Sequence, residues 1–109
     1  MSLIAGYECR LRLAVVGSDT PVFPVGVTLA AQIRRTRADT SLLATLTSDN
    51  GGLLRVSDSE IDIVIGGSSS ADWPAGEVVL DLVRTDTDPD KHLGFALRIP
   101  VVLPVTRGL

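Results

Sequence analysis

The sequence is poor in the residues that build covalent cross-links and metal centres. It holds one cysteine and one histidine in 109 residues. A single cysteine excludes an internal disulfide and any site built from several thiolates. Because Cys9 lies in the apolar phase of an alternating run, we expect a buried thiol that packs as a small hydrophobic side chain.

Aromatic residues, an excess of positive charge and long apolar runs are also lacking. Aromatics make up 4% of the chain and the formal net charge is -3, so no global field attracts phosphate backbones or anionic lipids. The apolar runs are far shorter than the ~20 residues of a membrane helix. The beginning of the chain lacks a basic segment followed by an apolar core. We therefore expect neither nucleic acid nor a membrane as a partner.

What the chain does have is the composition of a globular domain. Hydrophobic residues make up 45% and charged residues 21%, a balance typical of neither disordered nor membrane-embedded chains. The length predicts one domain over residues 1–109, with strands between about residues 7 and 103 and a tail at about 104–109.

Apolar and polar residues alternate along most of the chain, which is the pattern of half-buried strands. The residues predicted to point inward include Tyr7 and Cys9 in the first strand, Leu29, Ala31 and Ile33 in the second, and Ile61, Ile63 and Ile65 in a later one. Residues 27–35 also contain good helix formers, but the alternation and the neighbouring β segments favour a strand. The Asn50-Gly51 step is the strongest turn signal and is typical of a tight hairpin. The predicted strands cover about residues 7–16, 27–35, 42–47, 53–56, 60–65, 77–84 and 93–103.

Strands at such spacing, with turns between them, predict the fold class. We expect an all-β protein built as a single antiparallel β-sandwich of about seven strands, Ig-like in general form. The crossover at residues 66–72 is predicted to hold one helical turn around Ser69–Trp73, and Trp73 to cap the open end of the sandwich. Because Pro100 has no N–H to donate, the last strand is predicted to lie at a sheet edge or to be bulged there.

The residue types of known catalytic sites do not form a recognisable pattern. His92 and the serines of Gly66-Gly67-Ser68-Ser69-Ser70 lack the Gly-x-Ser-x-Gly elbow. No helix with a lysine follows Gly66-Gly67 to form a phosphate loop, and nothing near Asp58 and Glu60 suggests a raised pKa. We expect no enzyme, and no catalytic, cofactor-binding or metal site.

The segment Asp86-Thr87-Asp88-Pro89-Asp90 has the Asp-x-Asp-x-Asp spacing of a calcium loop. An EF-hand loop needs Gly at its sixth position and Glu at its twelfth, where this chain has Lys91 and Leu97. A solvated acidic hairpin tip is the favoured interpretation, and weak Ca²⁺ binding is the alternative.

Arginines cluster at one turn and along the first predicted strand. Arg34, Arg35 and Arg37 are candidates for a patch that contacts an acidic protein surface, and Arg10 and Arg12 lie outward on the first strand. A solvated or edge-protecting row of charges is the favoured alternative for them.

The order of the segments carries a resemblance to a known group of proteins. The strings "VGVTLAAQIRRTRADTSLLATLTSDNGGLLRVSDSEIDIVI", "WPAGEVVLDLVRTD" and "VVLPVTRG" follow one another along the chain. Between Val27 and Arg107 the sequence resembles small structural proteins of tailed phages and prophages. In that pattern a Pro-Ala-Gly step precedes a strand with an inner Asp, here Asp81, and the last strand closes on Thr106-Arg107.

The resemblance implies a non-enzymatic virion structural or assembly protein that acts by docking, without a cofactor. Its partners would be other phage structural proteins or a second copy in a homo-oligomer, and its location the cytoplasm of the host bacterium and then the virion. The last strand and the tail are candidates for partner contact because they could augment a neighbouring sheet, with a frayed terminus as the alternative. The contact candidates are Arg34, Arg35, Arg37, Pro100, Val105, Thr106 and Arg107.

A second function class remains open, a carbohydrate- or surface-binding module on the same sandwich. Such a module needs exposed aromatic rings, and the chain offers only Tyr7, Phe23, Trp73 and Phe95.

Overall fold

The computed structural model describes residues 2–17 and 20–106. Within these ranges the chain forms eight strands and one short helix. Their bounds are β1 Leu3–Ile4, β2 Cys9–Ala14, β3 Leu29–Arg34, β4 Ala44–Thr47, β5 Leu53–Ser57, β6 Glu60–Ile65, α1 Gly67–Ser70, β7 Gly76–Arg84 and β8 Lys91–Val102.

The strands form two sheets, so the predicted all-β class is confirmed. One sheet has five strands in the order β1-β8-β7-β3-β4, and the other has three in the order β2-β6-β5. All pairs are antiparallel except β1 with β8, which run parallel through Leu3–Val101 and Ile4–Val102. The prediction missed β1 because a strand of two residues is too short for its alternation to be recognised.

One buried cluster joins the apolar sides of both sheets. The predicted inward positions of β3 (Leu29, Ala31 and Ile33) and of β6 (Ile61, Ile63 and Ile65) are all buried, which confirms strand over helix for residues 27–35. The alternation failed at the start of the first predicted strand. β2 begins at Cys9, and Tyr7 is 42% exposed.

The Asn50-Gly51 turn joins the two sheets and does not close a hairpin. β4 pairs only with β3, and β5 only with β6, so the chain changes sheet at this corner. Gly51 has a φ of 79°, a conformation that costs glycine little. The Asn50 Oδ1 accepts hydrogen bonds from the backbone N–H of Thr47 and of Gly52, each at 2.9 Å. The predicted turn is thus confirmed, whereas the predicted hairpin is wrong.

The connection from β6 to β7, which also changes sheet, contains Trp73. After β6 the chain forms α1, which begins two residues before the predicted helical turn, and the Trp73 N–H donates to the Ser70 carbonyl at 3.0 Å. Trp73 is 3% exposed and belongs to the core cluster. Its predicted burial is therefore confirmed.

Pro100 lies in a strand with a neighbour on each side, but at Pro100 itself only the β7 side is paired. The predicted sheet edge is therefore found locally at Pro100, whereas the predicted bulge is not. β8 is flanked by β1 and β7, and its register shift falls opposite Asp81 and Val83. The Val102 carbonyl accepts from the Ala5 N–H on the β1 side. Backbone groups two residues apart in a strand face the same neighbour, so the nitrogen of Pro100 also faces this side. Pairing with β1 begins only at Val101, and the missing donor is not needed.

Candidate functional site

The outer face of the five-stranded sheet carries the side chains that alternate with the buried ones along each strand. One row across it consists of Arg34 on β3, Val79 on β7 and Arg98 on β8, which are register partners. Neighbouring strands lie about 4.8 Å apart, so the two arginines flank Val79 from either side. Val79 is 7% exposed although it points away from the core, which fits the way long arginine stems cover an apolar neighbour.

A groove runs along this face from the β3–β4 connection to the β7–β8 connection. Its largest section, beside the β3–β4 connection, has a volume of about 580 Å³. This section shares Arg37 and Val79 with a central section, which in turn shares Gln32 and Asp81 with a third section that ends at Asp90. The three sections therefore form one continuous surface, called the groove below.

The positively charged end of the groove is built on the loop of residues 34–39, called the arginine loop. The Arg34 guanidinium donates to the carbonyls of Asp39 and Thr40 at 3.3 and 3.0 Å and to Gln32 Oε1 at 2.8 Å. Arg34 thus holds the loop in shape by binding its carbonyls, and it has no carboxylate partner among the described residues.

Arg35 and Arg37 are the free cations of the site. Both are exposed and line the largest section of the groove. Within residues 2–17 and 20–106 neither guanidinium has a hydrogen bond or ion pair. The structure thus brings the predicted contact residues Arg34, Arg35 and Arg37 to one place, where Arg34 shapes the loop and the guanidiniums of Arg35 and Arg37 are available.

Arg98 and Glu77 complete this end of the groove, and the sequence did not suggest either of them. Arg98 Nη1 donates to Glu77 Oε1 at 3.0 Å, and both side chains are largely exposed. Three arginines and one glutamate line the largest section, a local excess of two positive charges in a chain of net charge -3. The register of β8 with Val79 puts Arg98 beside the arginine loop.

The remaining predicted contact residues lie toward the other edge of the sheet. Pro100 is exposed and pairs with Glu77, so it borders the groove. Val105 is fully exposed beyond the end of β8, and the carbonyl of Thr106 accepts from the Tyr7 hydroxyl at 2.9 Å. Arg107 lies outside the described residues. The predicted contact residues therefore fall into two groups, of which only the arginine group lines the groove.

His92 and Asp81 form a pair on the groove face, but the serines do not join it. His92 Nε2 lies 2.8 Å from Asp81 Oδ2, while the Gly94 N–H donates to His92 Nδ1 at 2.8 Å. Nε2 is then the protonated nitrogen and donates to Asp81. Both ring nitrogens are thus engaged, and neither is left to accept a serine proton. Ser70 is buried in α1, where its hydroxyl accepts from the Gly6 N–H at 3.1 Å.

In the acidic hairpin, residues 85–90, the first aspartate is paired with an arginine. The Arg84 guanidinium donates to both carboxylate oxygens of Asp86, at 3.1 and 2.8 Å, and this contact lowers the pKa of Asp86 below its ordinary value. Among the described residues no group of three or more His, Cys, Asp or Glu side chains is placed to hold a metal ion. Asp88 and Asp90 are exposed and have no side-chain partner within the same residues.

The arginines of β2 are occupied, unlike those of the arginine loop. Arg12 donates to both oxygens of Asp62, at 2.8 and 3.2 Å, and Arg10 lies 3.6 Å from the same carboxylate. The hydrogen bonds from Arg12, with the charges of Arg12 and Arg10, lower the pKa of the buried Asp62 despite its desolvation. Arg12 and Arg10 therefore share one carboxylate, which offsets one of their two positive charges and engages the Arg12 guanidinium through both of its oxygens.

Cys9 is buried as predicted, at 8% exposure. Burial raises the pKa of its thiol, which keeps the thiol protonated and poorly nucleophilic.

Comparisons with known proteins assign no family to the chain. No protein-family model matches it, and a search of curated proteins found no similar sequence. Within the described residues, no helix is both long and apolar enough to cross a membrane.

Proposed function

We propose that this chain is a non-enzymatic docking protein whose groove binds an acidic segment of a protein partner through the arginine loop. The observation that carries the proposal is the presence of two exposed guanidiniums, Arg35 and Arg37, without any partner in the described residues, beside the half-buried Arg34. Guanidinium groups bind carboxylates through paired hydrogen bonds. Arginine is also enriched at protein interfaces, whereas lysine is depleted.

The setting we propose is a tailed-phage or prophage particle or its assembly. The resemblance of residues 27–107 to small structural proteins of such phages supports this setting. In a symmetric particle a modest contact is repeated many times, so that weak single interfaces add up to stable attachment.

Ig-like packing of the two sheets is part of the same proposal. β2 pairs with β6 in one sheet while the next strand, β3, pairs with β7 in the other, so the chain crosses between the layers as sandwich proteins do. A crystal structure tests this point, and we expect the mean strand directions of the two sheets to differ by about 30°.

The carbohydrate-binding alternative has less support. Trp73 and Phe23 are buried at 3% and 0% exposure, and the hydroxyl of the more exposed Tyr7 donates to Thr106. These rings do not form a stacking platform along the groove, because none of them lines it.

The proposal is tested on particles released by prophage induction from the source strain. Mass spectrometry should find the chain in purified particles at a copy number related to a ring or fibre, or particle assembly should fail when its gene is deleted. The double variant Arg35→Glu with Arg37→Glu should lose the association or the assembly. A control variant, Ser68→Glu with Ser69→Glu, adds negative charge at two exposed positions of α1 outside the groove and should behave as wild type.

Two results would overturn the proposal. The first is absence of the chain from particles that assemble normally without its gene. The second is stoichiometric binding of the wild-type chain to a DNA or RNA oligonucleotide, lost in the arginine variant, because the groove would then recognise phosphates instead of an acidic protein.

A further inference from the structure

We propose that the occupant of the groove is a second copy of this chain, bound face to face and antiparallel, so that the arginine loop of each copy contacts the acidic hairpin of the other. The inference rests on the proposed function and names its partner. It is carried by the charges and positions of the two ends of the groove.

The two ends of the groove have opposite charge. At one end Arg35 and Arg37 are exposed and unpaired, and at the other Asp88 and Asp90 are exposed and unpaired among the described residues. Asp90 itself lines the last section of the groove. Two free guanidiniums thus line one end of the groove and the free carboxylate of Asp90 lines the other, with Asp88 two residues earlier in the same hairpin. Such charge complementarity is what pairs protein surfaces.

The two ends cannot neutralise each other within one copy. β3 and β7 are antiparallel, with Leu29 opposite Arg84 and Arg34 opposite Val79. The arginine loop begins at Arg34 and the acidic hairpin follows Arg84, so they lie at opposite ends of this strand pair. The paired positions span about 17 Å at 3.3 to 3.4 Å per residue, more than a direct ion pair bridges. A direct ion pair between these groups therefore has to be formed between two molecules.

A two-fold arrangement satisfies both ends at once. Because both charged ends border one face, turning a second copy by half a turn against that face sets each arginine loop opposite an acidic hairpin. Such an isologous contact closes at the dimer, the commonest symmetric assembly. The middle of the face suits close approach, since it contains the small side chain of Ala96, and the charge of Asp81 is already engaged by His92.

Sedimentation velocity on the purified full chain tests the inference. The wild type should sediment as a monomer–dimer mixture in about 20 mM salt between about 10 µM and 1 mM protein, without larger species. In about 0.5 M salt the dissociation constant should weaken at least about tenfold, because exposed charges are then screened.

Charge reversal provides the decisive test. Arg35→Glu with Arg37→Glu, and separately Asp88→Lys with Asp90→Lys, should each be monomeric, because each variant places like charges opposite one another. An equimolar mixture of the two variants should recover the dimer, since both contacts are then again between opposite charges. The control Asp49→Lys with Asp72→Lys changes exposed carboxylates outside the groove and should dimerise as wild type. Circular dichroism and thermal unfolding check that every variant folds.

Three outcomes would overturn the inference: a wild type that is monomeric throughout, a dimer that survives either reversal, or a mixture that stays monomeric or forms longer chains. The particle experiment distinguishes a failure of the self-association inference from a failure of the proposed docking function. If the arginine variant still loses its association with particles while the wild type alone is monomeric, the groove binds a different acidic partner and only the self-association is wrong.

Discussion

Arg12 on β2 and Asp62 on β6 are register partners, and the Arg12 guanidinium donates to both carboxylate oxygens at 2.8 and 3.2 Å. Their contact joins the edge strand of the three-stranded sheet to its central strand. The carboxylate is buried while the arginine remains more than half exposed. The pair therefore stabilises the charged form of Asp62, and its contribution to stability depends on pH.

The Asp62→Asn variant should reveal this dependence on pH. The folded pKa of Asp62 is lowered, so its contribution is fully present above the unfolded value of about 3.9 and is lost as pH falls through the folded pKa. We expect wild type to exceed the variant in free energy of unfolding by a constant amount above about pH 5, and the difference to shrink below about pH 4. Urea unfolding at several pH values measures it.

The control for this experiment is Asp49→Asn, whose carboxylate is exposed and has no side-chain partner among the described residues. Asp49→Asn removes no side-chain contact and should leave the free energy of unfolding at neutral pH close to that of wild type. A difference between Asp62→Asn and wild type that does not change with pH would show that the Arg12 contact does not stabilise the folded state.

Trp73→Ala should destabilise the protein by about 3 kcal/mol or more, because truncation of a buried aromatic ring leaves a cavity. Tyr7→Ala is the matched aromatic control. Tyr7 is 42% exposed, whereas Trp73 is 3% exposed. We therefore expect Tyr7→Ala to lower the free energy of unfolding by less than about 1 kcal/mol. Chemical denaturation measures both, and a loss below about 1 kcal/mol for Trp73→Ala would contradict its place in the core.

Gly52→Ala should destabilise the corner between the sheets. A methyl group at residue 52 would lie 2.8 Å from both Cβ and Cδ2 of Leu46, so the buried Leu46 must shift. We expect a loss of about 1 to 3 kcal/mol, as for other overpacked sites. Gly66→Ala is the control, since its added methyl meets nothing within 4 Å and its φ is -68°. If thermal unfolding shows the same loss of stability for Gly52→Ala and Gly66→Ala, this packing argument is wrong.

Leu3→Ala tests whether β1 belongs to the core. Leu3 is fully buried opposite Val101, whereas its neighbour Ile4 is 46% exposed. We expect a loss of about 2 to 5 kcal/mol for Leu3→Ala and a much smaller loss for Ile4→Ala. Urea unfolding measures the loss of stability in both variants. Equal losses would mean that Leu3 does not pack in the core as part of β1.

Local patterns in the sequence predicted much of the fold because they depend on neighbouring residues. Alternation over residues 60–65 predicted the buried Ile61, Ile63 and Ile65, and a Gly at position 51 predicted a turn with positive φ. The same patterns failed where the outcome depended on a distant strand. Asn50-Gly51 became a corner because β4 pairs with β3 and not with β5. The place where β1 begins to pair with β8, at Val101 and not at Pro100, likewise depends on a distant segment.

The candidate site shows the same division. The sequence predicted the arginine loop as a candidate contact site because Arg34, Arg35 and Arg37 place three charges within four positions of the chain. Arg98 and Glu77 could not be assigned to the site, because their place beside the loop follows from the register of β7 with β8 and of β7 with β3. The occupation of Arg10 and Arg12 by Asp62 likewise required the pairing of β2 with β6.

By itself the sequence determined that this chain forms strands, where most of them turn, and which faces are apolar. These properties arise from side-chain periodicity and from backbone preferences within a few residues. Only the tertiary structure decided which strands pair, which arginines are neutralised and which remain free at the groove. The physical reason is that backbone hydrogen bonds are alike for almost every residue, so strand partners and register are set by the burial of apolar faces contributed by distant parts of the chain.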